Sequence, residues 1–200
     1  MKKFLFSIAL IAFIQTCFSQ DIYTDISGKK VDFFIKKEEK LKSQLYKTDV
    51  IHYSDDQAAQ PIIYRRKEKN NPDLLVYYTF REKDSTVISI LYEWDVNNFE
   101  AGENNVKSDQ FNKLMIDRYS GIFDLIFKEF GESESEGSLE DLSKISTRAG
   151  LKRKDIWKPK NSVALEMYIV LSDFYEQKGL VTFNPTHKIR LYVREVKQKN

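Results

Sequence analysis

Residues 108–130 are the part of this 200-residue chain that most constrains its fold. Ser108 precedes and Gly131 follows a run in which apolar residues recur at steps of three and four, as on one face of an α-helix. The pattern predicts a long helix with Ser108 as N-cap, Gly131 at its C-terminal end, and a stripe wide enough to cover a sheet. The apolar positions are Phe111, Leu114, Met115, Ile122, Phe123, Ile126, Phe127 and Phe130.

Strand patterns precede this helix. Residues 62–67, 73–81 and 85–95 are rich in β-branched and aromatic side chains, and short turn sequences separate them. This arrangement predicts an antiparallel meander of three strands. Alternate side chains of the third strand share one face, which we predict to be its core side. These side chains are Ile88, Ile90, Tyr92 and Trp94.

Strand patterns also follow the helix. Residues 163–171 and 189–196 alternate in side-chain character and predict a C-terminal hairpin, with residues 180–183 as a short additional strand. Strands grouped on either side of a helix indicate an α+β fold. The prediction is an antiparallel sheet of about five or six strands, a meander plus the hairpin, packed against one long and one or two shorter helices.

Two shorter helices are predicted from periodicity and capping residues. Residues 27–47 carry apolar side chains at helical spacing, with Ser27 as the expected cap, although Glu38 interrupts the stripe. Residues 138–145 resemble a capping box that opens a short helix. The acidic residues 131–137 between the long and short helices are predicted to be a flexible loop.

The first 19 residues have the pattern of a secretory signal peptide. Lys2 and Lys3 precede an apolar run at residues 4–14, and this run of eleven residues is about half the roughly 20 needed to span a bilayer. Small side chains near Ser19 suit cleavage after that residue. We therefore expect an exported protein, periplasmic or extracellular, with a single α+β domain over residues 20–200. A buried N-terminal helix is the alternative.

Cys17 is the only cysteine of the chain. A lipid anchor on Cys17 is a further alternative: Ile14 suits a lipoprotein signal, but Gln15 and Thr16 suit it poorly. Loss of residues 1–19 would remove Cys17 and with it every disulfide, thiolate nucleophile and cysteine-bound metal. The charge would change from 32 basic and 30 acidic residues to 30 of each, because the removed segment holds two lysines and no acid.

Few residues point to catalysis. His52 lies in a predicted loop and His187 in a predicted turn, and we expect neither to bind a metal or act as a base. Nucleophile-elbow, P-loop and dinucleotide-binding motifs are missing from the sequence, and no cofactor is expected. Carboxylates on or beside strands are candidates for acid–base chemistry, although no spacing connects them. These are Glu93, Asp95, Glu166 and Asp173.

A basic segment is the one candidate binding site. Residues 147–160 are predicted to form a connector in which six basic side chains surround Trp157, and such a segment could contact phosphates, lipid headgroups or an acidic partner. Alternatively, it balances the acidic residues 129–141 while Trp157 packs on the core. The candidate binding residues are Arg148, Lys152, Arg153, Lys154, Trp157, Lys158 and Lys160.

Three functions remain open from the sequence. The leading hypothesis is an exported, non-enzymatic binding domain whose partner is a protein or an anionic envelope surface. The alternatives are a carboxylate-dependent envelope hydrolase and an envelope inhibitor or immunity-type protein. We expect no nucleic-acid partner, because the mature chain would be neutral, and no transmembrane segment in it.

Overall fold

The computed structural model describes residues 21–50, 58–99 and 106–196. Two α-helices lie within these residues, α1 at Val31–Lys40 and α2 at Asp109–Phe130. The predicted signal segment with Cys17 and the predicted loop position of His52 fall outside the described residues. Within the described part of the chain, no helix is both long and apolar enough to cross a membrane.

The described strands form one large antiparallel sheet and a small hairpin. The eight-stranded sheet has the order β1-β2-β3-β4-β10-β7-β6-β5, and β8 pairs with β9. The fold is therefore α+β as predicted, with a sheet larger than the expected five or six strands. The strands are β1 Gln44–Leu45, β2 Ile62–Arg66, β3 Leu74–Phe80, β4 Val87–Asp95, β5 Ser133–Gly137, β6 Leu151–Lys160, β7 Val163–Ser172, β8 Glu176–Lys178, β9 Val181–Phe183 and β10 Thr186–Glu195.

Strands β5 and β6 account for two of the extra strands and correct two predictions. The acidic residues expected to be a flexible loop form edge strand β5, and the expected basic connector forms β6. In β6, Leu151, Asp155 and Trp157 are buried while most residues between them are charged. The alternation of apolar and polar residues that identifies a strand is not visible here, because the inward position 155 carries an aspartate. Strand β5 has only serine, glutamate and glycine, and its pairing with β6 determines its conformation.

The long helix is confirmed and the shorter helices are corrected. The backbone N–H of Phe111 donates to Ser108 Oγ at 3.2 Å, and Gly131 has a φ of 82°, so α2 begins and ends where the caps predicted. Helix α1 begins at Val31, so Lys30 rather than Ser27 takes the N-cap position, and the Val31 N–H donates to the Ser85 carbonyl at 2.9 Å. The predicted short helix is a 3₁₀ turn at Leu142–Ser146.

The core lies between the helices and one face of the sheet. Met115, Ile122 and Ile126 of α2 are buried in one cluster with the alternate residues of the central strands. The predicted core face of β4 is correct for the positions Ile90, Tyr92 and Trp94. Ile88 instead lies at an irregularity where Phe80 pairs with Val87, so Val87 takes the buried position.

Candidate binding surface

The face of the sheet turned away from α1 and α2 carries a connected group of polar and aromatic side chains. Side chains of a strand alternate between faces, so the residues between the core positions of β4, β10, β7 and β6 point to this opposite face. We call it the open sheet face. Its residues are Tyr77, Leu91, Glu93, Asp95, Lys154, Glu166, Tyr168, Lys188, Arg190, Tyr192 and Arg194.

Glu93 and Arg190 form the centre of the open sheet face. They are directly opposite each other on β4 and β10, and the guanidinium of Arg190 donates to Glu93 Oε2. Glu93 Oε1 also accepts hydrogen bonds from the Tyr77 hydroxyl at 3.1 Å and from Asn98 Nδ2 at 2.8 Å. Glu93 is only 3% exposed, and its three donors compensate for the cost of burying its charge.

Two further tyrosines extend this centre across the sheet. Tyr168 on β7 lies opposite Arg190, and Arg190 Nη1 donates to its hydroxyl oxygen at 3.1 Å. The rings of Tyr168 and Tyr192 have centroids 6.3 Å apart, and the guanidinium of Arg194 lies 4.1 Å from the centroid of Tyr192. The aromatic rings and guanidinium groups of adjacent strands therefore hold one another in position.

Burial and neighbouring charges shift the pKa values of Tyr168, Tyr77 and Arg190. Burial raises the pKa of Tyr168 to about 12, with nearby Arg190 opposing the shift. Burial and the adjacent Glu93 carboxylate also raise the pKa of Tyr77. Burial acts to lower the pKa of Arg190, but the charge of Glu93, the neighbouring Tyr168 and Tyr192, and the hydrogen bond to Glu93 together outweigh it, so the pKa is raised. Tyr77 and Tyr168 are therefore neutral at neutral pH, and Arg190 is charged.

Three of the four candidate carboxylates lie on the open sheet face, each with a cationic partner. Asp95 Oδ2 is 2.6 Å from Lys188 Nζ, and Glu166 is 3.1 Å from Lys154 Nζ and 3.2 Å from Arg194 Nη1. Burial acts to raise the pKa of Glu166, but hydrogen bonds from these two cations outweigh it and the pKa is lowered. The tertiary fold thus connects carboxylates whose sequence spacing gave no relation.

The fourth carboxylate, Asp173, pairs with His187. His187 lies within β10 rather than in the predicted turn, and its Nε2 is 3.0 Å from Asp173 Oδ1, outside hydrogen-bond geometry. The ring of Phe111 lies 5.9 Å away, centroid to centroid. Burial lowers the pKa of His187, although the charge of Asp173 opposes it. The imidazole is therefore neutral and enclosed.

The predicted basic segment is divided between the two faces of β6. Lys152 and Lys154 point away from α2, and Lys158 is exposed. On the other face, Arg153 donates to Asp155, and Trp157 is only 1% exposed.

Trp157 belongs to the core beneath α2. Its indole N–H donates to the Gly131 carbonyl at 3.1 Å, and its ring lies 5.7 Å from that of Phe123, centroid to centroid.

The ends of the basic segment also have partners within the described chain. Arg148 stacks on Phe183 at 4.1 Å, and Lys160 Nζ donates to the Glu129 carbonyl at 2.5 Å.

The structure therefore does not gather the seven predicted binding residues into one patch. Strand β5 runs beside β6 with Glu136 opposite Lys154, which brings the acidic and basic segments into direct pairing. Sequence patterns alone did not mark Tyr77, Tyr168, Arg190 and Tyr192 as site residues. For Arg190 and Tyr192 a signal was present, because charged and tyrosine side chains occupy every second position of β10.

Within residues 21–50, 58–99 and 106–196, no three or more histidine, cysteine, aspartate or glutamate side chains cluster closely enough to hold a metal ion. Comparison with protein-family models, with curated proteins and with solved structures found no match to this chain.

Proposed function

We propose that this chain is an exported, non-enzymatic binding domain and that the open sheet face recognises a protein partner. One observation carries the proposal: Glu93, held by Tyr77, Asn98 and Arg190, fixes a row of aromatic and guanidinium groups on a sheet face that neither helix covers.

The residue types on this face favour a protein partner. Tyrosine and arginine are enriched among the residues that dominate the binding energy of protein interfaces. Tyr168, Tyr192 and Arg190 are half-buried and already constrained by contacts with each other, so binding would cost little side-chain entropy. Lys152 and Lys154 would contribute to the rim, where charge influences the association rate more than the affinity.

The first experiment tests whether this face is the contact surface. The full chain is expressed in its host with a photo-crosslinking amino acid at Lys152, beside the open sheet face, or at Lys128 on the exposed side of α2 as matched control. We expect one protein partner to crosslink from Lys152 and not from Lys128. Equal crosslinking from both positions would contradict the assignment.

The second experiment measures the interaction with the purified partner. Tyr168→Ala or Tyr192→Ala is expected to weaken binding about tenfold or more, as for residues at the centre of an interface. Lys128→Ala is the control and should bind normally. If both tyrosine variants remain folded and bind within twofold of the parent chain, the open sheet face is not the recognition surface.

The identity of the crosslinked partner also distinguishes the functional alternatives. A toxin or hydrolytic enzyme as partner would favour the inhibitor or immunity-type function. The hydrolase alternative is favoured by the position of Glu93, Asp95 and Glu166 on one face, yet each of these carboxylates is bound to a cation. Hydrolytic activity towards an envelope substrate that Glu93→Gln abolishes, in a variant that still folds, would overturn the binding proposal.

Export is a separate part of the proposal and has its own test. Cleavage after Ser19 predicts a mature chain that begins at Gln20, and mass spectrometry of the protein recovered from the host envelope measures this terminus directly. A diacylated Cys17 at the terminus would replace simple cleavage by lipid anchoring, and an intact Met1 would remove the export proposal.

A further inference from the structure

A cleft of about 400 Å³ lies on the helix side of the molecule, away from the open sheet face. Its size falls in the range of small-molecule sites. Three parts of the chain enclose it: the outer side of α2, the turn between β2 and β3, and the N-terminal segment at Ile22. The α2 residues are Leu114, Asp117, Arg118, Gly121, Ile122 and Leu125, and the turn contributes Asn70 and Asn71.

The walls of the cleft are held in place by hydrogen bonds behind them. Arg118 donates to Glu68, which also accepts from the indole N–H of Trp94 at 2.6 Å. Next to Ile22, the backbone N–H of Tyr23 donates to the Tyr92 hydroxyl at 2.7 Å. The concave shape is therefore already formed before a ligand binds, which lowers the cost of binding.

Gly121 indicates that this space is kept open. It lies in the interior of α2, where glycine is one of the least favourable residues for helix stability. A Cβ at Gly121 would meet no atom within 4 Å, so close packing does not require the glycine. What the glycine provides is unobstructed volume in the cleft, beside Leu125, whose side chain is 47% exposed.

The charge at the rim of the cleft favours a positively charged ligand. Asp117 is exposed at the rim and forms no ion pair within the described chain, whereas the charge of Arg118 is already matched by Glu68. The Asp117 carboxylate is therefore an accessible acceptor, and Ile22, Leu114 and Leu125 supply apolar surface between the structural elements.

We propose that this cleft binds a small cationic amphiphile, an apolar chain or ring that carries a primary ammonium group. The apolar part lies over Gly121 against the leucine and isoleucine side chains, and the ammonium donates to the Asp117 carboxylate at the rim. This site does not depend on the open sheet face, and its test is independent of partner binding.

Three probes with the same apolar chain and different head groups test the proposal: octylammonium, 1-octanol and octanoate, each below its aggregation concentration. Dissociation constants come from amide shifts of the exported, isotope-labelled protein, followed at Leu114, Gly121 and Leu125. We expect octylammonium to bind about two- to fivefold more tightly than octanol, as for a solvent-exposed charge pair, and octanoate to bind most weakly. Equal affinities for the ammonium and the carboxylate would overturn the proposal.

Four variants assign the parts of the site. Gly121→Leu is expected to fill the cleft and weaken octylammonium and octanol alike by tenfold or more, whereas Gly121→Ala keeps most of the space and is the control for helix stability. Asp117→Asn is expected to abolish the preference for octylammonium over octanol, and Asp124→Asn, on α2 outside the cleft, should retain it. Tight binding to a folded Gly121→Leu variant places the probe elsewhere and refutes the site, as does an unchanged preference in Asp117→Asn.

Discussion

Glu38 offers the most direct test of how buried charge supports this fold. Its side chain has 0% exposure within α1, and it accepts hydrogen bonds from Arg66, Tyr78 and Ser43. Burial acts to raise the pKa of Glu38, but the hydrogen bonds and charge of Arg66, with those from the two hydroxyls, outweigh it and the pKa is lowered. The carboxylate is therefore ionised in the folded protein and matched to a guanidinium that is itself nearly buried.

Glu38→Gln removes the negative charge while keeping the shape of the side chain. The Arg66 guanidinium then stays buried without its counter-ion, and breaking such a pair costs about 3–5 kcal/mol of unfolding free energy. With a urea m-value of about 2 kcal/mol/M for a domain of this kind, the midpoint of unfolding is expected to fall by roughly 1.5–2.5 M. Urea unfolding followed by tryptophan fluorescence and by circular dichroism measures this midpoint.

A triple variant provides the matched comparison. Glu38→Met, Arg66→Met and Tyr78→Phe together replace the polar groups by apolar ones of similar size, so no buried charge is left unpaired. We expect the triple variant to be more stable than Glu38→Gln, despite carrying three substitutions, because these energies do not add. A loss below about 1 kcal/mol in Glu38→Gln, or a triple variant less stable than it, would refute the reasoning.

Three further predictions concern stability and use urea unfolding as well. Because burial lowers the pKa of His187 below its ordinary 6.5, the unfolded chain binds the extra proton first. The contribution of the neutral His187 to the unfolding free energy is therefore complete above pH 6.5 and is lost as the pH falls towards the folded pKa. His187→Gln should make the unfolding free energy depend less steeply on pH between pH 7 and 5. An unchanged pH dependence would contradict the buried, neutral state of His187. Gly121→Ala is expected to raise the unfolding free energy by up to about 1 kcal/mol, since the new Cβ meets open space, and any destabilisation would show that the position is packed. Asp155 is buried and accepts hydrogen bonds from Tyr119, Ser135 and Arg153. Asp155→Asn is therefore expected to lower the unfolding free energy by about 3 kcal/mol. A decrease below about 1 kcal/mol would refute the role of Asp155 in joining α2 to β6.

The residues that interrupted the sequence patterns proved to be buried polar groups. Glu38 lies in the apolar stripe of α1, and Asp155 occupies an inward position of β6. A pattern of apolar and polar residues treats every carboxylate as outward-facing, so it left α1 ambiguous and concealed β6 as a connector. Only their partners make these positions favourable, and those partners lie on other elements, such as Arg66 on β2 and Tyr119 on α2.

Which residues share the open sheet face could not be predicted from local sequence. Glu93 and Arg190 are 97 residues apart in sequence, and strand order alone brings β10 between β4 and β7. The basic segment is divided between the two faces of the sheet because side chains alternate along β6, so Arg153 and Trp157 point towards α2 and Lys152 and Lys154 point away from it.

The α+β class, the bounds of α2 and the meander β2–β4 could be predicted from local sequence, because capping, helical periodicity and turn residues act over a few neighbouring positions. The size of the sheet, the strand character of β5 and β6, and the residues that share the open sheet face and the helix-side cleft became visible only in the folded chain. Each of these depends on pairing or packing between distant segments, where the partner of a residue, rather than its own propensity, determines its place.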